Sequence, residues 1–182
     1  VNSADSFEFG NIGIFRSTNG GATFTRMSVG NGSSATGLPE GASYDLASDP
    51  VNNAILYTSI VFNDTASNNG IYKSTNTGAT WTKVSDTAID ALISNNTSNL
   101  EITVGTSDNV YAAIINNGNP AGIFRSGNGG ATWTQMDTPQ TNENGTNVGL
   151  NPRGVKGPGP GSPPEDIAGG QGSIHFSIIA DP

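Results

Sequence analysis

The sequence predicts an all-β chain made of repeated four-stranded antiparallel sheets, on three observations. One pattern occurs three times, at 13–27, 70–84 and 122–136. In each copy an Asn-x-Gly step separates two short runs in which apolar or aromatic residues alternate with Ser, Thr or basic residues, the signature of a β-hairpin. The composition agrees: 25 Gly and 10 Pro, with Asn, Ser and Thr dominating the polar positions, favour strands and turns over long amphipathic helices.

The spacing predicts how the sheets are arranged. Asn19 to Asn76 is 57 positions and Asn76 to Asn128 is 52. A period near 50 suits one four-stranded blade of a β-propeller with its loops. Within each copy the aromatic–basic–Ser run (Phe15, Arg16, Ser17; Tyr72, Lys73, Ser74; Phe124, Arg125, Ser126) reads as one strand, and Thr-aromatic-Thr reads as the next. Gly at the turn takes positive φ without a Cβ clash, and the Asn side chain is expected to accept from backbone N–H groups two residues on. The aromatics Phe24, Trp81 and Trp133 are expected to pack between neighbouring sheets, where a flat side chain buries most area.

The intervening segments supply the remaining strands. Residues 43–50 read as an inner strand ending at Asp49-Pro50, and 54–60 as its partner. In the next unit 100–105 turns at Ser107, Asp108 and Asn109 and returns through 110–115, which puts Tyr57 and Tyr111 at matching positions. Residues 173–182 repeat the inner-strand pattern and its Asp-Pro ending. The chain therefore reads as a partial ring: 1–28 the outer hairpin of one blade, 42–86 and 98–137 two whole blades, 138–172 a long loop, and 173–182 the first strand of another blade. The start at Val1 and the stop at Pro182 are read as cuts in a longer chain that carries the rest of the propeller. Such a fragment leaves blade faces bare and is expected to associate or to be poorly soluble, so light scattering should not show a sharp monomer.

The repeat resembles the Asp box, Ser-x-Asp-x-Gly-x-Thr-Trp, of the BNR-repeat β-propeller superfamily, which includes sialidases, sortilin-type receptors and xyloglucan-active glycosidases. Its residues here are Ser17, Asn19, Gly21, Thr23 and Phe24, then Ser74, Asn76, Gly78, Thr80 and Trp81, then Ser126, Asn128, Gly130, Thr132 and Trp133. Asn replaces Asp in all three copies, and Phe24 replaces Trp in the first. The resemblance implies a structural turn remote from any active face.

Net charge is −8, and Lys and Arg are not concentrated in any segment, which argues against nucleic acid and anionic membrane as partners. No apolar run approaches a membrane span of about 20 residues. Cysteine is absent, which excludes disulfides and thiolate metal sites but not export. No metal or other cofactor is expected: turns such as Asp49 to Asn53 lack a calcium-loop pattern. Asn31, Asn63, Asn95, Asn96 and Asn144 begin Asn-x-Ser/Thr triplets, which matter only where the source glycosylates.

Alternating strands send connections to two faces, and the long ones, 1–11, 29–41, 63–69, 116–120 and 137–172, gather on one. Long loops on a rigid scaffold commonly bind ligands. The candidates for ligand contact are Glu40, Asp45, Asp64, Glu165, Asp166 and His175, with Asp5, Glu8, Glu101 and Glu143 as further carboxyls. A glycosidase needs two carboxyls about 5–10 Å apart, and nothing in the sequence brings any two together. Sialidases use an arginine cluster and carry Phe-Arg-Ile-Pro. Here Arg16, Lys73 and Arg125 recur with the repeat and read as scaffold, and that signature is absent. The expectation is a non-catalytic secreted or surface bacterial propeller region that binds a polysaccharide or an extracellular protein through its long-loop face. The alternatives are a sialidase-like or xyloglucan-active glycoside hydrolase, with part of its site outside this chain, and a sortilin-like protein binder.

Overall fold

A computed structural model describes residues 2–3, 12–31, 34–137, 139–143, 146–149 and 176–180. Apart from two short helical turns, its regular structure is β and every strand pair is antiparallel. The first sheet holds β1 (Asn2–Ser3), β2 (Gly13–Arg16) and β3 (Thr25–Arg26), in that order. The second holds β4 (Leu46–Ser48), β5 (Leu56–Ile60), β6 (Gly70–Ser74) and β7 (Thr82–Lys83), each beside the next. The third repeats that order with β8 (Thr97–Val104), β9 (Val110–Asn116), β10 (Asn119–Ser126) and β11 (Thr134–Met136). Among the described residues no sheet closes on itself.

Register makes the second and third sheets counterparts. Ala47, Tyr57, Lys73 and Thr82 lie in one row across the second sheet. Thr103, Tyr111, Arg125 and Thr134 lie in the matching row of the third. The sheets pack on one another through two apolar clusters. Ile14 and Met27 of the first unit and Leu38 of the following loop meet Ile60, Tyr72 and Trp81 of the second. Tyr57 and Ile71 of the second sheet share a larger cluster with Leu100, Ile102, Val110, Ala112, Ile114 and Phe124 of the third.

Each Asn-x-Gly turn is locked by its own side chains. In the second copy Ser74 Oγ donates to Asn76 Oδ1 and accepts from the amides of Asn76 and Gly78. Asn76 Oδ1 also accepts from the Thr80 amide, and its Nδ2 donates to Thr80 Oγ1. The same bonds recur on Ser17, Asn19 and Thr23 and on Ser126, Asn128 and Thr132. The Asn carbonyl thus reaches an amide four residues on, not two, and spans the whole turn. The two residues after each Asn have positive φ, as a mirror-image hairpin turn requires. Thr77 takes this conformation at φ 55° without being glycine.

Several elements depart from the sequence expectation. The inner strand of the second sheet is only Leu46–Ser48, because Ser43 and Asp45 spend their polar groups on local bonds. Ser43 Oγ and Thr58 Oγ1 both donate to the Asp45 carbonyl. Residues 2–3, read as loop, pair with β2. A one-turn helix, α1 (Thr87–Asp90), follows β7; Asp86 caps it by accepting from the Ala88 and Ile89 amides. It inserts Ile89 into the cluster between the second and third sheets, where Ile93 follows it. The segment read as a long loop opens with a hairpin, β12 (Gln140–Glu143) against β13 (Thr146–Gly149). Residues 176–180, read as an inner strand, have no ladder partner, and the Ala180 amide donates to Thr103 Oγ1.

Burial sets the expected cost of breaking a turn. Ser74 is buried whereas Ser17 is partly exposed, so in Ser74→Ala two amides lose their acceptor away from water, at about 1–3 kcal/mol. Urea unfolding should show a larger drop in midpoint for Ser74→Ala than for Ser17→Ala, at unchanged slope. Asn76→Asp keeps the acceptor and should cost far less than Asn76→Ala.

Candidate functional site

The connections 29–41 and 62–69 meet at one side of the first and second sheets. Between them lies a cleft of about 580 Å³ lined by Ile12, Gly30, Asn31, Glu40, Gly41, Phe62, Asn63, Asp64 and Thr65. Its wall is built by side chain-to-backbone bonds. Asn63 Nδ2 donates to the Glu40 carbonyl, and Asn63 Oδ1 accepts from the Thr65 amide and from Asn68 Nδ2. Asn68 Nδ2 also donates to the Asn31 carbonyl, and Asn69 Oδ1 accepts from the Asn63 amide. Three Asn side chains make these bonds, and two of them, Asn63 and Asn68, tie the two connections together without a regular ladder. Phe62 holds φ at 62°, an uncommon conformation for an aromatic residue, and stacks edge-on against Tyr44 at 6.3 Å.

Of the expected ligand residues, the structure brings Glu40 and Asp64 to this cleft. Glu40 Oε1 is 3.0 Å from Arg26 Nη2, and Asp64 is exposed. Asp45 lies elsewhere, between the inner ends of the second and third sheets. Its Oδ2 accepts from the Ile102 amide across the interface, and its Oδ1 from the Leu46 amide. This carboxylate joins two sheets instead of facing a ligand. Glu165, Asp166, His175, Asp5 and Glu8 fall outside the described residues, as does the side chain of Glu143. Among the described residues no group of three or more His, Asp or Glu side chains could hold a metal ion. Among them, too, no helix is long and apolar enough to cross a membrane.

Two inner carboxyls are electrostatically distinct. Burial pushes Asp45 up, against the two backbone N–H bonds that favour its charged form. Burial also pushes Glu101 up; the Asn99 side-chain bond opposes this, and the nearby Asp45 charge adds to it. Asp49, in the turn without a calcium-loop pattern, accepts from the Val51 and Asn52 amides through one oxygen.

Two of the repeating basic residues, read from the sequence as scaffold, join successive sheets. Arg16 Nε donates to the Thr77 carbonyl and its Nη2 to Thr77 Oγ1. In the next pair of sheets Lys73 Nζ and Tyr57 Oη both donate to the Gly129 carbonyl, with Lys73 over the Tyr57 ring at 5.4 Å. The tips of the second and third turns are thus received by the preceding sheet. The matched spacing of Arg16, Lys73 and Arg125, and of Tyr57 and Tyr111, was the sequence signal for this. The cleft residues Phe62 and Asn68 had no such signal, because they do not recur.

No protein-family model matches the chain, and no curated protein matches it. Among solved structures the chain is similar to a GH74 enzyme from Niastella koreensis, at 23% identity and a TM-score of 0.45. The similarity covers 69% of this chain and 18% of that enzyme, and at this level it carries no inference about activity.

Linkage gives the sign of a pH effect at Glu101. A carboxyl whose folded pKa lies above its unfolded value destabilises the fold once it is charged, and contributes nothing below the unfolded value, at roughly pH 4. Glu101→Gln keeps the acceptor for Asn99 and removes the charge. The variant should melt above wild type at neutral pH, and the gap should close as the pH falls to about 4, as followed by circular dichroism.

Proposed function

We propose that the sheets are successive blades of a β-propeller and that the protein is a non-catalytic recognition module, secreted or at a bacterial cell surface. It binds a neutral glycan in the cleft between the 29–41 and 62–69 connections. Three features support the architecture: the repeat period, the matched registers of the second and third sheets, and the sequential packing of the three sheets.

The observation that carries the ligand reading is the chemistry of the cleft. Amide and hydroxyl groups from Asn31, Asn63 and Thr65, the carboxylates of Glu40 and Asp64, and the ring of Phe62 line one open groove. A few fixed polar groups around an apolar surface are what orient a polyhydroxylated ligand. The two carboxylates and the net charge of −8 favour an uncharged sugar over an anionic one. Binding is favoured over hydrolysis because one cleft carboxylate is already engaged and the buried carboxyls lie away from the cleft. Glu40 is paired with Arg26, and the carboxyls whose proton affinity burial raises, Asp45 and Glu101, belong to the inner strands.

A glycoside hydrolase remains the second reading, because Glu40 and Asp64 line the same groove. Titration calorimetry with neutral oligosaccharides should detect binding that Asp64→Ala or Asn63→Ala weakens by roughly tenfold, the loss of one or two hydrogen bonds. Release of new reducing ends that stops in Asp64→Asn would overturn the module reading in favour of the enzyme.

A further inference from the structure

The bend that opens the 62–69 connection is taken by a residue that does not favour it. Phe62 holds φ at 62°, in the left-handed region that glycine or asparagine ordinarily takes. The connection that leaves β9 in the third sheet shows the usual solution, with Asn117 and Gly118 at φ 49° and 77°. The backbone on both sides of Phe62 is pinned. Val61 exchanges both backbone bonds with Ala42. On the other side the Asn63 amide donates to Asn69 Oδ1, and Asn63 Nδ2 donates to the Glu40 carbonyl. An aromatic side chain kept where it strains the backbone marks a position where the ring itself is required.

That ring belongs to two environments. It lines the cleft with Glu40, Asn63 and Asp64. It also packs, with Tyr44, on the apolar cluster between the second and third sheets. The two rings meet edge to face at 6.3 Å and 72°, a favoured aromatic geometry.

Tyr44 carries the contact into the third sheet. Its Oη donates to the Thr97 carbonyl at 3.3 Å, and its amide donates to Ser59 Oγ of the second sheet. Thr97 is itself fixed. It is buried, and its Oγ1 accepts from the Ser94 amide and donates to Asn116 Oδ1 of β9. Thr97, Tyr44 and Phe62 thus form one continuous path, from the first strand of the third sheet to a groove between the first and second units.

We propose that Tyr44 is a positioning residue: anchored to the third sheet through Thr97, it holds the Phe62 ring as the apolar wall of the cleft, so that ligand affinity depends on how the second and third sheets are joined. A sugar ring lays its C–H face on such a wall while the surrounding amides and carboxylates take its hydroxyls. Without the anchor the two rings are free to turn together, and the wall is no longer set before the ligand arrives. Coupling of this kind is reciprocal. A ligand that favours one setting of Phe62 must favour the Tyr44–Thr97 bond to the same degree. The ligand half rests on the reading of the cleft as a glycan site; the coupling of Phe62 to Thr97 does not.

Both halves are tested on the whole 182-residue chain. By NMR, the Phe62 ring signals, assigned with Phe62→Leu, and the Ser98 amide, whose nitrogen is bonded to the Thr97 carbonyl carbon, report the two ends of the path without ligand. Tyr44→Phe removes only the hydroxyl, and Tyr44→Leu removes the ring as well. Each should shift the signals at both ends. Calorimetric titration with cellohexaose, mannohexaose and xylohexaose follows, well below the melting temperature of each variant. Affinity for the sugar that wild type binds should fall about threefold in Tyr44→Phe. It should fall about tenfold in Tyr44→Leu and in Phe62→Asn, which suits the bend as Asn117 does but lacks the ring. That sugar should also shift the Ser98 amide in wild type and not in Tyr44→Leu. Phe62 ring signals that keep their wild-type positions in both Tyr44 variants would overturn the proposal. So would variants that melt lower yet bind as wild type does, since Tyr44 would then serve stability alone. If wild type binds none of the three sugars, the glycan reading of the cleft fails instead, and the ring signals still decide the coupling.

Discussion

A backbone carbonyl at the tip of a turn, accepting charged and phenolic donors from the neighbouring sheet, is the contact on which the stacking depends. The Gly129 carbonyl receives Lys73 and Tyr57, with Tyr57 fully buried. A buried carbonyl without a partner would cost about as much as the bond is worth, so the donors are obligatory once the sheets close on one another. Charge-assisted bonds of this kind are also stronger than neutral ones. The two instances reach the same end differently. Arg16 has a planar fork and meets both oxygens of Thr77. Lys73 is a point donor facing a glycine, and the second bond comes from Tyr57. Arginine and lysine are not equivalent here, because each is matched to what the opposite turn offers.

The turn must be rigid for this to work. Ser, Asn and Thr side chains close it from within, and in the third turn glycine at the tip keeps the approach open. A Cβ on Gly129 would stand 2.8 Å from Lys73 Nζ, inside the space the ammonium needs to reach the carbonyl. At the inner ends Asp45 performs the corresponding task with opposite polarity, a carboxylate accepting from the Ile102 amide of the next sheet. The second and third sheets are therefore tied at both their inner and outer margins by side chain-to-backbone bonds, with the larger apolar cluster between.

The hairpins were legible in the sequence because their determinants are local: alternating residues and an Asn-x-Gly turn repeated three times. The helix Thr87–Asp90 was not, because one turn is too short for any periodicity, and only Asp86 two residues before Ala88 marks its cap. Asp45 looked like a ligand carboxyl because inner-strand position does not reveal that a backbone amide 57 residues away will claim it. The cleft was half legible: loop lengths and side placed Glu40 and Asp64 on one face. Their meeting depends on Asn63 and Asn68 bonding across from one connection to another, and no residue spacing encodes that. Phe24 was expected between sheets and is exposed, since among the described residues no sheet lies on its outer side.

Recognition through a carbonyl has a consequence for how such chains diversify. The tip residues are Gly20, Thr77 and Gly129, yet the atom recognised in Thr77 and Gly129 is the same, and every peptide unit carries it. A duplicated repeat therefore arrives with the recognised atom already in place, and only the donor facing it has to suit the tip, as Arg16 suits Thr77 and Lys73 suits Gly129. A change of tip side chain then calls for a change in one facing donor only, so tandem gene duplication can lengthen the array or exchange its modules while the joint between them keeps its form.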